Sequence, residues 1–287
     1  MMISAADDIK AQSKMVAKDI DRYFKQRLVE VKMISQADVL RSNDKVQALG
    51  YLKSITYEND SIDDINLLDL NGVITISATD PKKENSVAWD INFGVKELLL
   101  AVKNAVSGAV YASEVLMAGG NTKIIFVTPI YDISKLRPVA ILLVENNING
   151  IKNIVSEYAE LREDYKQSYV VDKLGRLLLT TNPKSPLFAT LSDVRIQPAM
   201  LGDTASGTAI YKNHQGDQVI TGFCDLKKVA ENKSLDWSIL TTAPIDRLLQ
   251  PTKETAQVST YIGLIVTALT ALTAYFIPIA WVCSAPA

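Results

Sequence analysis

The residues whose type could do chemistry in this chain are few, and most suit binding better than catalysis. Trp89 and Phe93 flank Asp90 in the stretch ENSVAWDINF. They are either aromatic walls around a small molecule or plugs for the core of a sheet. Tyr111 either offers its hydroxyl to a ligand or is an ordinary sheet-face tyrosine. Glu145 follows the aliphatic run ILLV. It is either turned into a cavity or solvated just past the end of its strand, and the second reading is favoured. Asp69 and Asp172 precede turn sequences, where an aspartate hydrogen-bonds the turn backbone, so both are read as structural. His214 is the single histidine and lies in the polar turn KNHQGDQ. Histidine-rich metal sites and a Ser–His–Asp triad are thereby disfavoured. Cys224 has no histidine near it in sequence and reads as a small apolar strand residue. The loop MAGGNT lacks the Lys–Ser/Thr that a phosphate-binding loop needs. The expectation is a protein without catalysis, cofactor or metal.

Composition narrows the partners. The 287 residues carry a formal net charge of −2, and 48% of them are hydrophobic. No basic run or basic–aromatic stripe occurs, so nucleic acid is excluded as an expected partner. The two cysteines, Cys224 and Cys283, lie far apart, and a fold without disulfides is the simple reading. After Glu254 no charged residue occurs, and residues 261–282 read YIGLIVTALTALTAYFIPIAWV. As a helix this stretch spans roughly 33 Å, about one bilayer core. Tyr261 and Trp281 stand at its ends, where interfacial aromatics belong. A transmembrane helix is expected there. The first 18 residues hold no apolar run that could serve as a signal or first membrane helix. The chain therefore reads as the middle of a longer membrane protein whose first membrane helix has been lost.

Several elements must position the candidate residues. Residues 4–40 predict one long helix, with apolar residues at Ile9, Val16, Ile20, Tyr23, Phe24, Leu28, Val31 and Ile34 and neither Pro nor Gly. A short helix is expected over 45–57. A hairpin follows at Asp69-Leu-Asn-Gly72, where glycine supplies the positive φ. Residues 82–107 read as a loop and then a helix over 96–106. Strands are expected over 110–116, 123–131 and 139–146, and a second long helix over 148–166.

The pattern then recurs. SYVVDKLGRLLLTTN matches INLLDLNGVITISATD, with Asp172 and Gly175 in the places of Asp69 and Gly72. GTAIYKN follows GAVYASE, DQVITGFCDL follows TKIIFVTPI, and LDWSILTTAPIDRLL follows RPVAILLVENNINGI, with Ile245 in the place of Ile148. One supersecondary unit is written twice. Each copy predicts an antiparallel sheet of about five strands with helices on one face, an α+β layer architecture.

A long N-terminal helix, two tandem PAS-like antiparallel sheets and a following membrane helix resemble the double Cache (dCache) sensor family. The hairpins at Asp69–Gly72 and Asp172–Gly175 and the sequence FVTPIYD at 126–132 carry most of the likeness. The resemblance implies a helix for signalling and dimerisation over 1–44 and a membrane-distal subdomain over 45–147. A connecting helix over 148–166, a membrane-proximal subdomain over 167–250, a linker over 251–260 and a transmembrane helix over 261–282 complete the chain. It also implies a ligand pocket on the first sheet. Its residues would be Trp89, Asp90, Phe93, Tyr111, Ser113, Phe126, Thr128 and Glu145. One subgroup binds amino acids through Tyr-x4-Arg-x-Trp-Tyr, then Tyr-x-Asp, then a later Asp. Trp89, Tyr111 and Glu145 fit that order, but Val87 stands in the arginine place, Asp90 in that of the second tyrosine and Ser113 in that of the aspartate. The missing arginine is the group that would grip a carboxylate. With Val87 in its place, and with Asp90 and Glu145 facing the pocket, the resemblance implies a neutral or cationic ligand: an amine, an amino-acid-like compound or another small metabolite. The implied whole is a homodimeric, non-enzymatic sensor of a membrane signalling receptor. It sits in the inner membrane, with its sensing part periplasmic or extracellular. A membrane-anchored enzyme and a structural envelope protein are the alternatives.

Overall fold

The computed structural model describes residues 2–42, 44–88, 109–118, 121–134, 136–160, 166–181, 187–188, 204–213, 216–229, 235–248, 259–268 and 270. Trp89, Asp90, Phe93, His214 and the helix expected over 96–106 lie outside them. Helix α1 (Met2–Ser35) buries the apolar stripe Ile9, Val16, Ala17, Ile20, Phe24, Val31 and Ile34. It stops at Ser35, short of residue 40. There Gln36 N and Ala37 N bond back to Met33 O and Ile34 O at 3.1 and 3.2 Å, tightening the last turn. A 3₁₀ turn, Asp38–Leu40, follows. Asp44 caps α2 (Lys45–Glu58) by accepting from Val46 N and Gln47 N.

The first sheet holds β1 (Ile62–Leu68), β2 (Ile74–Ser77), β3 (Tyr111–Ala112), β4 (Leu116–Ala118), β5 (Asn121–Tyr131) and β6 (Pro138–Asn147). Its order is β2-β1-β6-β5-β3, with β4 also on β5. The strand expected over 110–116 is thus two short pieces. Helix α3 (Asn149–Glu160) leads to the second sheet. This comprises β7 (Gln167–Asp172), β8 (Leu177–Thr180), β9 (Ser206–Lys212), β10 (Gln218–Asp225) and β11 (Trp237–Pro244), in the order β8-β7-β11-β10-β9. Strand for strand the two orders are the same. A single helical turn, α4 (Leu226–Val229), follows β10.

The likeness between copies extends to local detail. Asp69 Oδ1 accepts from Asn71 N and Val73 N, and Asp172 Oδ1 accepts from Leu174 N and Arg176 N. Gly72 and Gly175 take φ of 85° and 73°, a conformation that costs glycine nothing. The ladder register shifts between Leu67 and Leu68 in one hairpin, and between the equivalent Val170 and Val171 in the other.

One helix joins both copies. The Phe24 ring lies 6.0 Å from Phe126 of the first sheet and 5.3 Å, edge to face, from Trp237 of the second. Near its start, α1 touches the β10 backbone, and a Cβ on Gly222 would lie 2.6 Å from Ile9 O. Gly150, at the start of α3, faces the Tyr23 ring of α1. A core shared this way packs both sheets onto α1.

Candidate functional site

Alternation along the strands gives the first sheet two faces. One carries Ile65, Leu67, Ile124, Phe126, Leu142 and Val144 in the same cluster as Phe24 and Val31 of α1. The outer face carries Leu68, Ile74, Ile125, Val127, Ile141 and Leu143, with Tyr111 packed against them. Toward one end this outer face turns polar. Asp64 and Glu145 stand directly across from each other on β1 and β6, and Asn66 and Ser77 are an adjacent cross-strand pair. All four are buried, Asp64 to 2% exposure and Glu145 to 5%.

Two buried carboxylates on one sheet face need counter-charges. The 3₁₀ turn Pro81–Lys83, capped by Asp80, supplies one. Lys83 Nζ donates to Asp64 Oδ2 at 2.7 Å and to Glu145 Oε1 at 3.1 Å. Lys123 of β5 donates to Glu145 Oε2. Asp64 also accepts from Ile65 N at 2.9 Å, Thr79 N at 3.1 Å and Ser77 Oγ at 3.2 Å. Asn66 Nδ2 donates to Asp64 Oδ2 at 3.2 Å and to Glu145 Oε1 at 3.4 Å. Burial alone would depress the Lys83 ammonium. The Asp64 and Glu145 bonds and charges outweigh it and hold its pKa above the ordinary lysine value.

The chain beyond Lys83 is laid against β2. Asn85 N bonds Ile74 O at 2.8 Å, Ile74 N bonds Ser86 O at 2.9 Å, and Ala88 N bonds Gly72 O at 2.9 Å. Asn85 turns with a φ of 65°. These bonds fix where Lys83 can reach.

Of the residues singled out from sequence, this face brings together Tyr111, Ser113 and Glu145. Glu145 is buried and doubly ion-paired, not solvated past the strand end, because Lys83 and Lys123 converge on it. The hydroxyl of Ser113 is engaged with backbone: it donates to Glu114 O and accepts from Ile125 N. Phe126 and Thr128 have the opposite parity on β5 and belong to the α1 face. Phe126 packs on Phe24, and Thr128 Oγ1 donates to Ala109 O at 2.7 Å. The sequence reading passed over Asp64, Asn66, Ser77, Lys83 and Lys123. The signal for the first two was present: polar residues at i and i+2 of the strand IDDINLL share one face.

A family model for the Cache domain (dCache_1) matches residues 4–252. The chain belongs to the double Cache family. No curated protein matches it. Among solved structures it is similar to an extracellular ligand binding receptor from Desulfohalobium retbaense, with 13% identity, a TM-score of 0.59 and 82% of this chain covered. The chain spans 40% of the length of that structure. It is similar to the ligand-binding domain of the Pseudomonas aeruginosa amino acid chemoreceptor PctB in complex with L-arginine, with 16% identity, a TM-score of 0.60 and coverage of 88% and 93% of the two chains. It is also similar to the ligand-binding domain of the Pseudomonas fluorescens chemoreceptor CtaA in complex with L-isoleucine, with 15% identity, a TM-score of 0.59 and coverage of 85% and 94%. At these identities the likeness is one of fold.

Within this Cache pair the two outer faces differ in chemistry. The counterpart of the Asp64–Glu145 cross-strand pair is Gln167–Thr242. Around it the second face carries hydroxyls: Tyr211 OH lies 3.1 Å from Thr221 Oγ1, which lies 2.7 Å from Thr242 Oγ1. The copies touch through charge as well as through α1. Lys173 Nζ and Arg176 Nη2, in the second hairpin, lie 3.3 and 4.0 Å from the Glu114 carboxylate that follows β3.

Among the described residues no helix is long and apolar enough to cross a membrane. The described start of the expected span is helical from 259 to 268. There Tyr261, Ile262, Leu264, Ile265 and Val266 are each more than half exposed.

Proposed function

We propose that this double Cache region is the extracytoplasmic sensor of a membrane signalling receptor, and that it binds a small molecule on the outer face of its first sheet. The observation that carries the proposal is the contrast between the copies. The strand order, register shift and hairpin chemistry recur in both, yet among the described residues only the first sheet buries two carboxylates on its outer face. The second copy folds with Gln167 and Thr242 in those places, so the fold itself does not need the charges. Buried ionic groups that are not required for packing are strong candidates for recognition. Contacts to the ligand come from Tyr111 and from Trp89, Asp90 and Phe93, with Glu145 and its lysines forming the polar floor. The related chemoreceptor domains in complex with L-isoleucine and L-arginine support a metabolite-sized ligand.

The signal passes through α1 and a membrane helix over 261–282. The exposed apolar side chains at 261–266 support placing that segment in lipid. A ligand can move α1 only by binding one arrangement of the sheets more tightly than another. Met15, Val29 and Met33 are exposed on α1 and give a second copy an apolar seam for a homodimer.

The test is a thermal-shift screen of the full chain against amino acids, amines, organic acids, purines and sugars. A ligand at 100 times its Kd adds about 2.7 kcal/mol, visible as a raised Tm. The expected hit is abolished by Trp89→Ala or Tyr111→Ala. A hit that survives both variants places the site elsewhere. A well-folded protein with no hit overturns small-molecule sensing.

A further inference from the structure

Two carboxylates buried side by side on one sheet face make a seat for a cation. In this chain the seat is already taken. Lys83 Nζ bridges Asp64 Oδ2 and Glu145 Oε1 at 2.7 and 3.1 Å, and Lys123 holds the other oxygen of Glu145. The four charges cancel. The lysine arrives from the turn Pro81–Lys83, outside the sheet, and its side chain is 22% exposed. It enters the face as a ligand would, on a tether.

A second buried polar group adjoins the pair. Asn66 is 1% exposed, and its Oδ1 has no hydrogen-bond partner. Its Nδ2 is committed to Asp64 and Glu145, an orientation fixed by chemistry, since only the NH₂ end can face two carboxylates. Asn66, which is hydrogen-bonded to both carboxylates, therefore carries a buried acceptor that neither Lys83 nor Lys123 satisfies. A buried acceptor without a donor is costly.

We propose that Lys83 is the specificity-determining residue of the outer face. It occupies the cation seat with the chain's own ammonium, so the natural ligand is read there through a neutral or anionic group and not through an ammonium. This rests on the outer face of the first sheet being the binding face. It narrows the ligand class drawn from sequence, in which Glu145 stood as a free acid inviting an amine.

The experiment is chemical rescue in the full chain. Lys83→Ala removes three methylenes and the ammonium, a gap of the size of n-propylammonium. Wild type is expected to show the same Tm in n-propylammonium chloride and in sodium chloride of equal ionic strength. Lys83→Ala is expected to melt lower and to recover Tm saturably with n-propylammonium but not with n-propanol. The double variant Lys83→Ala/Asp64→Asn is expected to lose that recovery. If Lys83→Ala does not fold alone, its refolding yield with n-propylammonium against n-propanol is the readout. A saturable shift in wild type, or no rescue of Lys83→Ala, overturns the proposal. Failure of the binding-face reading has a different signature. A screened ligand would then keep its effect in Tyr111→Ala, while the rescue of Lys83→Ala is unchanged.

Discussion

At the scale of single residues, aspartate serves two ends in this chain. Asp69 and Asp172 are turn acceptors whose value lies in backbone bonds, whereas Asp64 collects backbone, hydroxyl, amide and ammonium donors on a buried face. Removing the Asp69 carboxylate leaves two turn N–H groups to find water, and the turn is exposed enough for that. Asp172 is buried to 7% exposure and also holds Arg176 Nε at 2.5 Å. Asp172→Ala is therefore expected to cost about 1–3 kcal/mol and Asp69→Ala less, about 0.5–1.5 kcal/mol. Urea denaturation of the two variants checks the order, and equal losses would contradict this account. The turn roles of both aspartates could be read from sequence, because an Asp two residues before its partner N–H and a glycine at positive φ are local matters. The pairing of Asp64 with Lys83 and Glu145 was not readable, since the partners lie 19 and 81 positions away.

At the scale of elements, α1 is the part on which both sheets depend. Its approach to β10 is possible because Gly222 has no side chain. A methyl there would meet the Ile9 carbonyl at 2.6 Å, too close for any Cβ, and the obstacle is backbone rather than a movable side chain. Gly222→Ala is expected to destabilise by about 1–3 kcal/mol through forced separation of helix and strand. In a protein of this size that lowers Tm by roughly 2–4 °C per kcal/mol. Thermal melts of Gly222→Ala beside Gly216→Ala separate the two uses of glycine. Gly216 has open space around it but a φ of 88°, so its loss is one of backbone strain alone. Sequence gave the helix through its spacing of apolar residues. A stripe this narrow also suits packing against a partner helix and against a domain flank, and most of it is buried on the chain's own two sheets.

At the scale of the whole molecule, several buried groups hold their protons more tightly than they would in the unfolded chain. Burial pushes the Cys224 thiol up to about 11. The Asp19 carboxylate that accepts from the Tyr158 hydroxyl, aided by burial, pushes that phenol up to about 12. Tyr23, half-buried on α1 against the start of α3, and Lys83 are also raised. A raised folded pKa stabilises fully below the unfolded value, and that stability is lost as pH climbs through the folded value. Tm is therefore expected to be level from neutral pH to about pH 9, as far as these groups are concerned, and to fall by several degrees between about pH 9 and 12. Cys224→Ala should delay the onset of that fall. Melting curves across this range test it, and a Tm that rises above pH 9 would contradict it.

The sequence by itself determined the duplication, the antiparallel α+β copies, the hairpin chemistry and the family resemblance. These rest on local periodicity and on turn residues whose conformational needs do not depend on distant partners. It also marked Tyr111 and Glu145. Only the tertiary structure decided which side of the sheet each residue faces and what it meets there. Strand parity sent Phe126 and Thr128 to the α1 face, since a shift of one residue reverses every side chain. Glu145 was turned from a free acid into half of a neutral, buried network. Charge in a folded protein is a property of a neighbourhood, and that neighbourhood was assembled from β1, β5, β6 and the turn after β2, segments that sequence order keeps apart.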